Sequence, residues 1–338
     1  MTILFHATEL SAFAPTGVET SVNSGSPISH RTDANEFSAS FSRASIGIDG
    51  GSVVRSETYA PQDNIWFHAV ADPTTTAQVD SFMFGFFDQN GSLCAGIDTN
   101  NGAPFISVRP SVGGSFGQVG NTIPALTSNA LVTIDINIDF RGTQPRIDLY
   151  TNGILAESVF TDLFGSASAS TGVTGFDLRD PGASSNEIEY SEIIFANQPT
   201  LGMRVRTLPI VGNGDFANFS GDVNDVAGLQ PNQPGLTSAV AGEEHSFLLE
   251  DLGPEAALLN PISVAYHVEF QPSTDPTEPQ NLASGLRIGT QNFAFLLPSA
   301  NAGLNQGSII FDFNNPATGL PWTLADINGL QGYNRSEP

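Results

Sequence analysis

The sequence predicts an all-β protein built as two β-sandwiches in tandem, and three observations carry that prediction. Gly at 34 and Pro at 22 in 338 residues mean frequent turns between short elements. Apolar residues recur mostly at every second position, the strand period, with few stretches at helical spacing. Residues 187–209 hold a long strand, a Pro/Gly break and a second alternating stretch, the pattern of a seam between two β-domains. Ile188–Phe195 is dense in β-branched and aromatic residues. Pro199 cannot donate to a ladder, and Gly202 accepts backbone angles other residues avoid. Met203, Val205 and Thr207 then alternate with Arg204 and Arg206, which predicts a fresh strand with one apolar and one cationic face. The domains expected are 1–200 and a smaller one at 203–338.

Taken in order, Thr2–Thr8 reads as an opening strand, with loop or an extended arm to residue 30. Glu36–Ile48 alternates Phe37, Ala39 and Phe41 against serines, and Asp49-Gly50-Gly51 turns the chain. Ile65–Val70 and Ser81–Asp88 follow as strands. The second has Phe82, Met83, Phe84, Phe86 and Phe87 on both faces, so one face needs a cover: a loop, residues 1–30 or another chain. Asp88–Gly91 then turns into Leu93–Ile97. Leu131–Phe140 is the cleanest strand, with Val132, Ile134, Ile136, Ile138 and Phe140 facing the core. Leu131, Thr133, Asp135, Asn137 and Asp139 are expected on a solvated face. Arg146–Leu155 is a hairpin around Asn152-Gly153. Beyond the seam, Gly212–Gln233 reads as a loop. His245–Leu249, Ile262–Phe270, Leu286–Ile288, Phe293–Leu297 and Ile309–Phe313 read as short strands, with Pro272–Pro279 an exposed loop. Thr323 and Asp326 form a capping box for a short helix that carries Leu324, Ile327 and Leu330 and that Gly332 stops.

Net charge is −24 with no lysine, all 11 strong cations being arginines. Such a surface repels phosphate backbones and excludes nucleic acid as a partner. Cys94 is the sole cysteine, so no intrachain disulfide forms, and a small buried hydrophobe is its expected role. Met1–Ala7 lacks the basic region of a signal peptide, and no run reaches transmembrane length, so no membrane insertion is expected.

The seam residues Tyr190-Ser191-Glu192-Ile193-Ile194, a short turn and Gly202–Leu208, with Asn315–Asn328 near the end, resemble virion proteins of tailed bacteriophages. The strand-Leu149-Tyr150-x-Asn152-Gly153-strand hairpin is similar to that of laminin-G-like sandwiches. These resemblances imply a concanavalin/laminin-G-like jelly roll at 1–200 and a smaller C-terminal β-sandwich with a short terminal helix. They further imply a non-enzymatic structural component on the virion exterior, such as a tail fibre or tail tip. It would be made in the host cytoplasm and assembled as a homo-oligomer with other virion proteins. Contact with a host surface glycan is compatible with that role. The alternatives are a head-decoration or head-fibre protein, and a carbohydrate-binding module or laminarinase-like glycoside hydrolase.

The hydrolase alternative rests on Glu187-x-Glu189-x-x-Glu192, similar to the Glu-x-Asp-x-x-Glu strand motif of laminarinases, where a bulge brings the outer glutamates together. Glu189 departs from that motif, and the aromatic walls that hold sugars are lacking, since there are only two tryptophans and neither is close in sequence. Asp135, Asn137 and Asp139 carry oxygens for calcium but stand about 6–7 Å apart on a flat strand. Asp88, Asn90, Asp98, Asn100 and Asn101 read as turn residues that a calcium ion could also use. His68 and His267 are expected to be packed or hydrogen-bonded. Arg204 and Arg206 are expected to meet acids across the seam or a neighbouring subunit. No residue is assigned as catalytic, metal-binding or cofactor-binding, and no cofactor is expected.

Overall fold

The computed structural model describes residues 3–7, 29–31, 45–48, 53–73, 81–100, 103–108, 117–123, 131–160, 172–179, 188–227, 235–253, 260–300, 302–303 and 305–338. The chain divides into two compact units, Met1–Arg206 and Thr207–Pro338. Both are β-sandwiches, and the described residues are nearly all β.

The first unit contains β1 (Ile3–Ala7), β2 (Ser29–Arg31), β3 (Ser45–Ile48), β4 (Val53–Arg55), β5 (Asn64–Pro73), β6 (Ser81–Asp88), β7 (Leu93–Asn100), β8 (Ala103–Val108), β9 (Gly117–Thr122), β10 (Val132–Asp139), β11 (Arg146–Thr151), β12 (Ile154–Phe160), β13 (Val173–Arg179) and β14 (Ile188–Ala196). One sheet runs β12-β11-β10-β5-β14-β3-β2, with β1 also paired to β14; the other runs β4-β13-β6-β7-β8-β9. Strict alternation fixes the inner faces, because a slip of one residue would turn every side chain to the wrong side. Ile134, Ile136 and Ile138 of β10 stand opposite Ala69, Phe67 and Ile65 of β5, and all are buried. Phe67 closes the sandwich, its ring centroid 5.2 Å from Phe84, 5.6 Å from Phe86 and 5.1 Å from Phe176 of the other sheet. Tyr190 packs on Phe84 at 5.2 Å while its hydroxyl donates to the Arg179 carbonyl at 2.7 Å. Cys94 is a buried residue of this core and forms no disulfide.

Several expectations are corrected. Met203–Thr207 forms no strand; Leu201-Gly202 is a turn and the chain beyond it is irregular until Ile210. The reason is a side chain: Arg204 returns to Glu192 instead of joining a ladder. The outer face of β10 is not solvated, since Asp135 and Asn137 are buried. The phenylalanine-rich β6 leaves no uncovered apolar face among its described side chains. Phe87 is buried with the Arg55 guanidinium 4.0 Å from its ring centre, and Met83 is buried too. Glu36–Ala44, the turn at 49–51, most of residues 1–30 and Phe82's side chain lie outside the described residues.

The second unit contains β15 (Ile210–Ala217), α1 (Asn224–Ala227), β16 (Glu244–Leu249), β17 (Ser263–Phe270), β18 (Asn281–Ile288), β19 (Gln291–Leu297), β20 (Asn305–Asp312), α2 (Leu324–Asn328) and β21 (Leu330–Glu337). Sheet β15-β16-β21-β18-β19 covers the pair β17-β20 through Leu286, Ile309, Phe311, Trp322, Ile327 and Leu330. Gly212–Gln233 is thus not all loop. Its first part is β15, whose bulge lets Phe216 N–H donate to Ser246 Oγ at 3.0 Å and places Phe216 on Tyr333. The Thr323–Asp326 capping box is present, but Gly329, not Gly332, ends the helix. Leu330 and Gly332 belong to β21; a Cβ on Gly332 would lie 2.6 Å from the Tyr266 ring, so the strand needs glycine there.

Candidate functional site

His68, Asp135, Asn137, Asp139, Glu192 and Arg204 come together on the outer face of the larger sheet, which divides into a sealed half and an open half, whereas Asp88, Asn90 and Asp98 belong to the other sheet and its turn. In the sealed half, β10 and β5 pair so that Asp135 stands opposite His68. Asp135 Oδ1 accepts from His68 Nδ1 at 2.8 Å and from the Thr200 hydroxyl at 2.6 Å. Asn137 Nδ2 donates to Asn64 Oδ1 at 2.9 Å and to the Ile65 carbonyl at 2.8 Å. In β14 the register against β5 slips between Ser191 and Ile194, and Glu192 takes φ +51° within this bulge. Its buried carboxylate accepts from Arg204 Nε and Nη2, each at 2.5 Å, and from Val205 N–H at 3.2 Å. That pairing raises the Arg204 pKa above its usual value. Residues 197–206 therefore form a strap tied across the sheet by Thr200 and Arg204.

This half holds structure together as it stands. His68, Asp135, Ser191, Glu192 and Thr200 are all buried. Glu192 is charge-matched by a guanidinium, and the side chains of Glu187 and Glu189 lie outside the described residues, so the glutamate motif assembles no described carboxyl pair. The bulge that motif requires is nevertheless present. Asp135, Asn137 and Asp139 do not converge on one ion, because each is engaged elsewhere. Among the described residues no group of three His, Cys, Asp or Glu side chains could hold a metal. Asp88 serves its turn, accepting from the backbone N–H of Asn90 at 2.8 Å and of Ser92 at 3.0 Å. Asp98 belongs to β7 rather than to a turn. Asn101 and the side chain of Asn100 lie outside the described residues. His267 is a half-buried residue of β17, and Arg206 lies in the irregular stretch after the turn.

The open half is made by β11 and β12. Tyr150 stacks on Trp66 with centroids 5.8 Å apart and planes at 28°. Tyr150 stands opposite Leu155 and Arg146 opposite Phe160, so all four share the outer face. Phe160 is 63% exposed and Leu155 51%, a large apolar fraction for one edge strand. Between these rows Arg146 Nε lies 3.0 Å from Asp148 Oδ2, and Ser158 Oγ donates to Asp148 Oδ1 at 2.7 Å. At the end of β10 Arg141 grips Asp139 through Nε at 2.9 Å and Nη2 at 2.8 Å, holding that carboxyl below its usual range. Trp66 and Asp148 are themselves buried, so the face presents Tyr150, Leu155 and Phe160 beside the Arg146 guanidinium and Ser158 hydroxyl that Asp148 sets in position. Sequence reasoning missed it because Trp66 and Tyr150 are far apart in the chain. The only signal was the alternation of Arg146, Asp148 and Tyr150, continued across the hairpin by Leu155, Ser158 and Phe160.

No protein-family model and no curated protein matches the chain. Solved structures are similar to it at low identity. A cellulose-induced protein is 15% identical, with 55% of this chain and 92% of that one covered and a TM-score of 0.38. An alginate lyase solved with an alginate tetrasaccharide is 10% identical, with coverage of 60% and 98% and a TM-score of 0.35. A sialidase is 8% identical at a TM-score of 0.33, and the chain spans only 15% of its length. None of these is a virion protein, and the resemblance to bacteriophage proteins finds no support in them. The expectation that the protein is not an enzyme is likewise corrected: alginate lyases recur among the similar structures, so the exclusion of enzymatic activity is withdrawn.

Proposed function

We propose that the first unit binds carbohydrate on the open half of its larger sheet, with the strapped half as the rigid support. The observation that carries this reading is the half-buried Tyr150, backed by the buried Trp66 ring, flanked by exposed Leu155 and Phe160 and by Arg146 and Ser158, which the buried Asp148 holds in place. A sugar ring has an apolar C–H face and a rim of hydroxyls. The first suits aromatic and aliphatic side chains, and the second suits a guanidinium and a hydroxyl held in fixed positions by a buried carboxylate. The carbohydrate theme among the similar structures agrees with this reading, which rests on the face itself and not on that likeness.

Affinity electrophoresis through gels containing polysaccharides tests it. At least one polymer should retard the wild type, and Tyr150→Ala should weaken that retardation by about tenfold, near the 1.4 kcal/mol expected for one stacked ring. Phe295→Ala, which removes an exposed ring of the second unit, should leave it unchanged. Equal retardation of wild type and Tyr150→Ala refutes the assignment. Reading the same mixtures for new reducing ends and for unsaturated product reports whether a bound chain is also cut.

A further inference from the structure

We infer that the ligand of this face is an extended, uncharged polysaccharide, and that acidic chains such as alginate and polygalacturonate are excluded; the inference rests on the carbohydrate reading above. Recognition of a polyuronate requires cations free to meet a carboxylate on each sugar. Among the described residues this face has two arginines, and both are already matched: Arg146 by Asp148 at 3.0 Å and Arg141 by Asp139 at 2.8 Å. Five further arginines among the described residues are matched too: Arg55 and Arg179 face Asp177, Arg204 faces Glu192, Arg287 faces Asp215 and Arg335 faces Glu337. The chain carries no lysine to add a cation and has a net charge of −24. A polyanion approaching the face meets repulsion reaching about 10 Å at 0.1 M salt, and the two described guanidinium groups of the face are already matched by carboxylates. For a neutral chain the same ion pairs are an advantage, because their exposed guanidinium groups present fixed donors to hydroxyls at no cost in net charge.

Length argues for a chain rather than a single sugar. From Leu155 to Phe160 the strand covers about 16 Å at its usual rise. Tyr150 and Leu155 lie near one end of that track, and Arg146 and Phe160 lie at the other. Separate contacts at both ends suit successive units of an oligosaccharide.

The test is affinity electrophoresis of the full chain against two neutral polymers, laminarin and galactomannan, and two acidic ones, alginate and polygalacturonate, at 20 and 300 mM salt. A neutral polymer should retard the wild type about equally at both salts. Oligosaccharides from that polymer should compete at least about tenfold better than its monosaccharide. Neither acidic polymer should bind. The double variant Asp139→Asn/Asp148→Asn keeps each side chain's size and frees both guanidinium groups. It should gain alginate binding at 20 mM salt and lose at least about tenfold of it at 300 mM. Alginate binding by the wild type that weakens with salt overturns the inference while leaving the carbohydrate reading intact. A variant that stays folded by circular dichroism yet gains no alginate binding overturns it as well. If no polymer binds, and Phe160→Ala abolishes a self-association seen by sedimentation, the face belongs to a second copy of the chain and both readings fail.

Discussion

Replacing Arg204 with alanine should destabilise the first unit more than almost any other change at its surface. Glu192 is buried without measurable exposure and takes both its oxygens' charge-assisted bonds from this one guanidinium. Removing one partner of a buried ion pair costs about 3–5 kcal/mol, because the remaining charge is left in a poor solvent. The Arg204 side chain is 34% exposed, so water can enter where it stood, and the lower end, about 3 kcal/mol, applies. For a unit of this size that is a fall in Tm of roughly 6–12 °C. A Trp322→Phe background leaves Trp66 as the one tryptophan, so fluorescence during heating or urea unfolding reports the first unit alone. The companion Glu192→Gln/Arg204→Ala removes the stranded charge and should recover about half the loss, with a coupling of about 2 kcal/mol in the double-mutant cycle. A loss under about 0.5 kcal/mol for Arg204→Ala, or no recovery in the double variant, would refute the strap.

Two further perturbations test the second unit. Burial lowers the pKa of His245, whose Nε2 lies 2.9 Å from Asn213 Oδ1 and whose ring packs on Phe247 at 4.8 Å. Below the ordinary value of 6.5 the unfolded chain therefore binds a proton that the folded one resists. Stability should fall as pH drops from 6.5 toward the lowered pKa and be unaffected above it. The wild-type urea midpoint should decrease more than that of His245→Gln between pH 7 and pH 5, and parallel decreases would contradict the assignment. Gly332→Ala places a methyl carbon 2.6 Å from the Tyr266 ring and should cost about 1–3 kcal/mol, and Gly332→Ala/Tyr266→Leu should regain part of it; a neutral single variant would contradict this packing.

Elements with strict alternation were legible in the sequence, and β10 shows both the reach and the limit of that signal. Its inner face follows from Ile134, Ile136 and Ile138 alone. Its outer face could not be read locally, because Asp135 and Asn137 are buried by partners distant in the chain, Thr200 and Asn64. Polarity on one face predicts water only when no other segment crosses that face. The same blindness made a strand of Met203–Thr207: alternation was present, but the ion pair to Glu192 outweighed a ladder that had no partner strand. β15 was hidden by its glycines, Gly212 and Gly214, which read as loop. Gly214 is there because a Cβ would strike Gln331 and Ser246. The hairpin at Asn152-Gly153 was legible because turn chemistry is local, with φ of +51° and +75°. The Trp66–Tyr150 pair was not, since it depends on β10 lying between β5 and β11.

Hydrogen exchange of the full chain, with and without a saturating neutral polysaccharide found by electrophoresis, tests the central claim most directly. New protection should appear in β11, β12 and the turn between them, while the strapped segment 197–206 and the second unit stay unchanged. Protection confined to the second unit, or to β6–β9 of the opposite sheet, would contradict the placement of the carbohydrate site on this face.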